Sequence, residues 1–212
     1  ADADTTISAD TDDQIDFKIA GADDFQMTAN TFTAQSGSTI VTPKITLNTT
    51  GTTSVSSLMA DQFRLTSNIT HSGATTANIT ANLERIDEPT GFGSLGTGMT
   101  ESSGTFTFPS TGIYLVRANV YIFRNASSSV YTGIRITTTH NNSTYAVAAL
   151  SYGYIPDVNS AYGQVSVEYI FDVTDTTTHK VIFAVESGGG VNYGGSSTNN
   201  RTHFTFIRLG DT

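Results

Sequence analysis

An all-β protein is what this sequence predicts: a C-terminal sandwich preceded by an N-terminal β-stalk of short rungs. Three observations predict it. Charged residues make up only 14% of the chain, and Thr, Ser, Asn and Gly fill most polar positions. Helices draw on Glu, Lys, Leu and Ala, whereas Thr, Val, Ile, Tyr and Phe favour strands. Apolar residues alternate with polar ones at period two in run after run, and no helical period appears. Turn-forming clusters of Gly, Pro, Asn, Asp and Ser punctuate those runs at strand-length intervals.

At 212 residues the chain has room for one large domain, or one domain with a smaller extension. Cysteine is absent, which removes disulfides and thiolate metal sites and leaves oligomerisation as a source of robustness. The net charge is −9, which argues against nucleic acid and anionic membranes as partners. No apolar run approaches the ~18 residues that a bilayer span requires, so no membrane insertion is expected. The chain opens on Ala1 rather than Met, as a processed chain or a piece of a longer one would.

Residues 1 to about 60 form the first segment. Residues 1–24 carry eight Asp and a single lysine, Lys18. Short alternating pieces follow one another: Ile15–Ile19, Phe25–Met27, Thr31–Thr33, Thr39–Val41 and Lys44–Leu47. Turn chemistry separates them at residues 20–24, 35–38, 42–43 and 48–51. One chain of such rungs cannot close a core. Three chains about a common axis can, so the spacing predicts a trimeric stalk. A flexible Thr/Ser-rich leader is the alternative, but the apolar spacing is too regular for a linker.

Residues 61–212 read as a compact sandwich. Ile113 to Phe123 is a long strand with an apolar face of Tyr114, Val116, Ala118, Val120 and Ile122. Val165, Val167, Tyr169, Phe171 and Val173 mark another strand, and Val181, Phe183 and Val185 a third. Val130, Ile134 and Ile136 mark a fourth, and Tyr145, Val147 and Ala149 a fifth. The last strand, His203 to Leu209, carries Phe204 and Phe206 on one face and Ile207 and Leu209 on the other. A strand apolar on both faces is central or meets a neighbouring subunit, so these four residues are the expected trimer contacts. This many short strands mean a sandwich or jelly roll.

One stretch is more specific. Gly104-Thr105-Phe106-Thr107-Phe108-Pro109-Ser110-Thr111-Gly112-Ile113-Tyr114 resembles the G-x-F-x-x-P-x-x-G-x-Y signature of the C1q/tumour-necrosis-factor-like jelly roll. Pro109 ends a short strand, Gly112 permits a tight corner, and Tyr114 opens the long core strand. The closing run Phe204 to Leu209 matches that family's short aromatic last strand. The resemblance covers about residues 61–212 and implies a homotrimer with the last strand near the three-fold axis. The leader, Ile7 to Asp13 and Ile15 to Phe25, resembles a segment common in structural proteins of marine tailed bacteriophages, where it precedes C1q-like tips. The chain departs from animal C1q proteins, having no collagen repeat and no cysteine, so complement-type functions do not carry over.

Catalytic patterns are missing. No nucleophile elbow, P-loop or dinucleotide fingerprint occurs, and no enzyme activity is expected. His71, His140, His179 and His203 lack metal-ligand spacing and read as surface or strand residues. Glu84, Asp87 and Glu88 around Arg85 could suggest a carboxylate pair, but their loop with Pro89 and Gly91 favours salt bridges. Asp2, Asp4, Asp10, Asp12 and Asp13 offer oxygen ligands for Ca²⁺ without EF-hand spacing, so no metal or cofactor is expected. Two loops mix tyrosine with Gly, Ser and Asn, at 151–163 and 187–200. Tyrosine gives broad contact area at low entropic cost, and the small polar residues give adaptable hydrogen bonds. They make Tyr152, Tyr154, Tyr162, Asn192 and Tyr193 the candidate ligand-binding residues, although tyrosines packed beneath ordinary connections would leave the same pattern.

The expectation is a virion structural fibre protein on the extracellular virion surface. Its trimeric knob would attach to a host surface glycan or protein, and its N-terminal segment would join other virion proteins. The alternative is a capsid decoration or head-fibre trimer that coats or stabilises the particle.

Overall fold

The computed structural model describes residues 6–9, 15–19, 22–28, 31–34, 58–73, 75–87, 93–124 and 131–212. The chain divides into two compact units, Ala1–Thr53 and Ser54–Thr212, so the division falls a little before the expected residue 60. No helix occurs among the described residues.

The first unit is a four-stranded antiparallel meander of β1 (Thr6–Ala9), β2 (Ile15–Ile19), β3 (Ala22–Thr28) and β4 (Thr31–Ala34) in that order. Register puts Ile7, Phe17 and Phe25 in one row and Ile15, Met27 and Phe32 in the next. Side chains alternate between faces, so these six share one face. It is not covered: Ile7 is 73% exposed and Phe32 57%. The Phe25 and Phe32 rings stack with centroids 5.8 Å apart. The first three expected rungs are thus hairpin strands of one sheet. The rungs at 39–41 and 44–47 and the five leader aspartates lie outside the described residues.

The second unit is a sandwich of two sheets. Its strands are β5 (Met59–Leu65), β6 (Ile69–His71), β7 (Thr76–Asn78), β8 (Leu83–Arg85), β9 (Thr100–Ser102) and β10 (Thr105–Thr107). There follow β11 (Gly112–Arg124), β12 (Tyr131–Thr139), β13 (Ala146–Tyr154), β14 (Tyr162–Val173), β15 (Lys180–Ser187), β16 (Val191–Tyr193) and β17 (His203–Gly210). The first sheet runs β13-β12-β15-β10-β9, with β7 also on β15. The second runs β6-β16-β11-β17-β5-β8, with β14 on the other edge of β11.

The alternation anticipates the inner faces. Tyr114, Val116, Ala118, Val120 and Ile122 are all fully buried, as are Ile134, Ile136 and Val181. Phe106 is the hub, with ring centroids 5.1 Å from Phe63, 5.5 Å from Phe183 and 5.0 Å from Phe206. The signature residues behave as their chemistry requires. Phe108 packs on Tyr114 at 4.6 Å, and the Tyr114 hydroxyl donates to the Ser110 carbonyl at 2.9 Å. Gly112 has φ +144, and a Cβ there would lie 2.5 Å from Arg208 Nε and 2.6 Å from the Gly210 carbonyl oxygen. Only glycine fits that corner.

Two strand assignments need correcting. Tyr145, Val147 and Ala149 were expected to alternate along one strand, but the strand begins at Ala146, and Val147 is 46% exposed while Ala149 packs against the core, because β12 and β13 slip register between Ile136 and Thr137. Phe204 and Phe206 were expected among the trimer contacts. Both are fully buried inside the sandwich, with Phe204 stacked on Phe183 at 4.2 Å. β17 is central, between β11 and β5, so its second apolar face is an outer face of the sheet. There Ile207 is half-buried and Leu209 is 53% exposed.

Candidate functional site

The five candidate tyrosine and asparagine positions do not form one surface. β13 and β14 follow one another in the chain but belong to different sheets. Tyr152 and Tyr154 therefore lie on the outside of the first sheet, and Tyr162 on the outside of the second. Tyr162 stacks on Tyr121 at 6.0 Å beside Phe123, and the Arg201 guanidinium lies 5.8 Å from the Tyr121 ring.

Asn192 and Tyr193 are not loop residues. They form β16, hydrogen-bonded between β11 and β6, and Tyr193 is fully buried. Its hydroxyl bonds the Thr132 hydroxyl at 2.7 Å and donates to the Glu186 carbonyl at 2.9 Å. Burial pushes its pKa up to about 12, against the opposing bonds from Thr132 and Ser187. Asn192 accepts from the Thr70 hydroxyl at 2.8 Å. Neither residue is available to a ligand.

What remains is an aromatic and polar platform on the first sheet. Register sets Tyr154 against Tyr131, Tyr152 against Gly133, and Gly133 against Glu186 across β13, β12 and β15. Thr76 on β7 extends the second row beyond Glu186. Two glycines let the rings lie down on the sheet. A Cβ at Gly133 would be 2.7 Å from Tyr152 Cδ1 and Cε1, and one at Gly188 would be 2.6 Å from Tyr131 Cε1. The Tyr152 ring thus crosses β12 and reaches β15, where its hydroxyl donates to Glu186 Oε2 at 3.1 Å. Tyr131 meets Tyr152 edge to face at 5.7 Å. Arg135 pairs with the same Glu186 oxygen and lies 3.4 Å from the Tyr152 hydroxyl. Burial alone would lower the Arg135 pKa, but Tyr152 and Glu186 outweigh it and hold it above its ordinary value. Tyr152 is 49% exposed and Tyr154 72%. Sequence reading found both tyrosines and missed Tyr131, Gly133, Arg135 and Glu186. Each lies on a strand other than β13 or in its flanking turn, and only the pairing brings them together.

The outside of the second sheet has a different chemistry. Register aligns Ile170, Leu115, Ile207 and Ala60 across β14, β11, β17 and β5. Ile170 and Leu209 are each 53% exposed. Farther along β11, Arg117 faces Glu168 at 3.8 Å, and Asn119 bonds His203 Nε2 at 3.2 Å.

The charged cluster near residue 85 is made of ion pairs. Asp61, its side chain fully buried, accepts from Arg85 Nε at 3.0 Å and from the Met99 amide at 2.8 Å. Arg64, fully buried, bonds Glu84 at 2.7 Å and Asp87 at 2.6 Å. A depression of about 570 Å³ beside them is lined by Phe63, Glu84, Arg85, Thr97, Met99 and Glu101. Glu88 lies outside the described residues.

The histidines are less scattered than their spacing suggests. His140 Nδ1 lies 3.1 Å from His179 Nε2, and His179 is buried. His71 is also buried, with Nδ1 2.9 Å from Ser187 Oγ. That hydroxyl donates to the Gly189 carbonyl at 2.6 Å, so the ring is the donor to Ser187 rather than a base acting on it. No group of three or more metal-ligating side chains forms among the described residues.

No family model matches the chain, and no curated protein sequence does. Solved structures match the sandwich. The Eiger TNF of S. frugiperda is 12% identical with a TM-score of 0.50, over 73% of this chain and 94% of that one. Murine APRIL at pH 5.0 is 11% identical with a TM-score of 0.49, over 72% of this chain and 99% of that one. At such identity the likeness to Eiger establishes the fold alone: a TNF-like jelly roll.

Proposed function

We propose that the chain is a virion structural fibre protein, whose N-terminal stalk and C-terminal knob assemble as a homotrimer and attach the particle to a host surface. The observation that carries this reading is the pair of apolar faces left uncovered in a single chain. One is the grid of Ile7, Ile15, Phe17, Phe25, Met27 and Phe32 on the first unit. The other is the Ile170, Leu115 and Ile207 row with Leu209 on the second. Exposed apolar area of this kind favours burial against other copies. The tyrosine platform lies on the opposite sheet, so a trimer closed through the second sheet would keep it outward. Three copies of a weak site gain avidity without tight single-site contacts. The bacteriophage setting rests on the resemblance of the leader.

Light scattering of the purified chain tests the assembly; the expected mass is about three times 22.5 kDa. A stable folded monomer refutes it. Trimers should adsorb to host cells, and labelled particles should carry the chain at a fibre tip. A chain spread over the capsid shell, with no adsorption, would make the protein a decoration trimer instead.

A further inference from the structure

We infer that the Tyr152 platform binds an uncharged pyranose, so that the attachment ligand is a neutral surface glycan. The inference rests on the attachment reading and narrows it to one ligand class.

Tyr152 is held by Gly133 beneath it and by Glu186 at its hydroxyl, while half of its surface stays open. A ring so fixed has lost its freedom before any ligand arrives, which lowers the entropic cost of binding. Tyr154, at 72% exposure, continues the aromatic surface one row away. A pyranose presents C–H hydrogens on one face and hydroxyls around its rim. The C–H face is weakly positive and suits the negative face of an aromatic ring.

The rim needs donors and acceptors beside the ring. Glu186 Oε2 is already used by Arg135, Tyr152 and Thr76. Glu186 Oε1 has no hydrogen-bond partner among the described residues, so it can accept from a sugar hydroxyl. A hydrogen bond to an ionised acceptor is stronger than one between neutral groups.

Charge selects the neutral sugar. Among the described platform residues the cation, Arg135, is paired with Glu186, which leaves no uncompensated cation there to receive a carboxylate or sulfate. An anionic sugar would bring its charge against Glu186 on a chain of net charge −9.

Saturation-transfer NMR on the full chain tests this, with methyl β-galactoside, methyl β-glucoside and methyl α-mannoside, and N-acetylneuraminic acid as the anionic arm. At least one neutral pyranoside should receive transfer from the tyrosine resonances at about 10 mM, and the anionic sugar should not. Tyr152→Ala should cut that signal about tenfold or more. Gly133→Ala should do the same, because its methyl group lifts the ring. Tyr162→Phe, on the other sheet, should leave it unchanged. Thermal melts confirm that each variant is folded; if Tyr152→Ala is not, Gly133→Ala decides. No transfer to any neutral sugar, transfer to N-acetylneuraminic acid alone, or binding that survives both platform variants overturns the inference. Adsorption of the same variants to host cells separates the two readings. Adsorption lost in Tyr152→Ala without sugar binding overturns the glycan and keeps attachment. Sugar binding lost in Tyr152→Ala with adsorption intact overturns attachment by this site and keeps the glycan.

Discussion

Substitutions on the two faces of β17 should have opposite signatures. Phe206 is fully buried and packs 5.0 Å from Phe106 and 6.0 Å from Phe183. Phe206→Ala removes most of a buried aromatic side chain and leaves a cavity in a region already filled by rings. Such changes cost about 3–5 kcal/mol, and the lost aromatic pairs place this one toward the upper end. Against a typical domain stability of roughly 5–15 kcal/mol, that loss is large enough to lower the denaturation midpoint severely. Leu209 is 53% exposed, so about half of its transfer free energy is at stake in a single subunit. Leu209→Asp should therefore cost the isolated knob about 1 kcal/mol or less. In a trimer closed through the second sheet, it would place an unpaired carboxylate in each contact, at several kcal/mol per chain. The chain has no Trp, so urea unfolding is followed by tyrosine fluorescence and far-UV circular dichroism, with light scattering in parallel. The expected results are a destabilised chain for Phe206→Ala and a folded monomer for Leu209→Asp. A cost below about 1 kcal/mol for Phe206→Ala would contradict its central place in the core. A Leu209→Asp trimer of unchanged stability would remove the outer face of β17 from the contact.

Two further predictions concern polar groups. Asp61→Ala leaves the buried Met99 amide without its acceptor, while Arg85, 45% exposed, can turn to water; urea unfolding should show a loss of about 2–3 kcal/mol. Asp61→Asn should lose less, because the amide oxygen still accepts from Met99, and equal losses would refute this account. The His203 pKa is lowered, chiefly by burial and secondarily by the Arg117 charge, against a raising bond involving the Arg201 backbone. The folded state therefore prefers the neutral ring, and its stability is full above the unfolded value of about 6.5 and lost as pH falls through the lowered folded value. Urea midpoints measured from pH 7.5 to pH 5 should fall for the native chain and fall less for His203→Gln; parallel curves would refute the assignment.

Much of the fold was legible because strand burial is written at period two. The inward positions of β11 and β15 follow from alternation alone, and the Gly112 corner follows from its neighbours. β17 shows the limit of that reading. Its two apolar faces say that the strand is central, but not which face meets the opposite sheet. Glu84 and Asp87 read as salt-bridge carboxylates around Arg85, but their partner is the buried Arg64, because which cation lies beneath a turn is a property of what packs over it. β16 was hidden for a related reason. Gly188 to Tyr193 has turn-like composition, yet its backbone has partners on both sides, and Tyr193 buries its hydroxyl because Thr132 and Glu186 meet it there.

The platform makes the same argument at the level of function. Sequence reading treated Tyr152, Tyr154 and Tyr162 as one loop surface because they are near in the chain. Jelly-roll connectivity sends β13 and β14 to different sheets, so proximity along the chain becomes separation across the sandwich. The opposite holds for Gly133 and Glu186, which are far from Tyr152 in sequence and beside it in register. Gly133 binds nothing itself, yet without a Cβ it lets the ring settle across β12 and reach Glu186. A glycine in a strand usually weakens it. Here the missing side chain is the space that the tyrosine fills, so selection for an exposed, fixed ring would act on Gly133 as strongly as on Tyr152. That equivalence is why Gly133→Ala and Tyr152→Ala should share one phenotype, although one variant adds a methyl group and the other removes a ring.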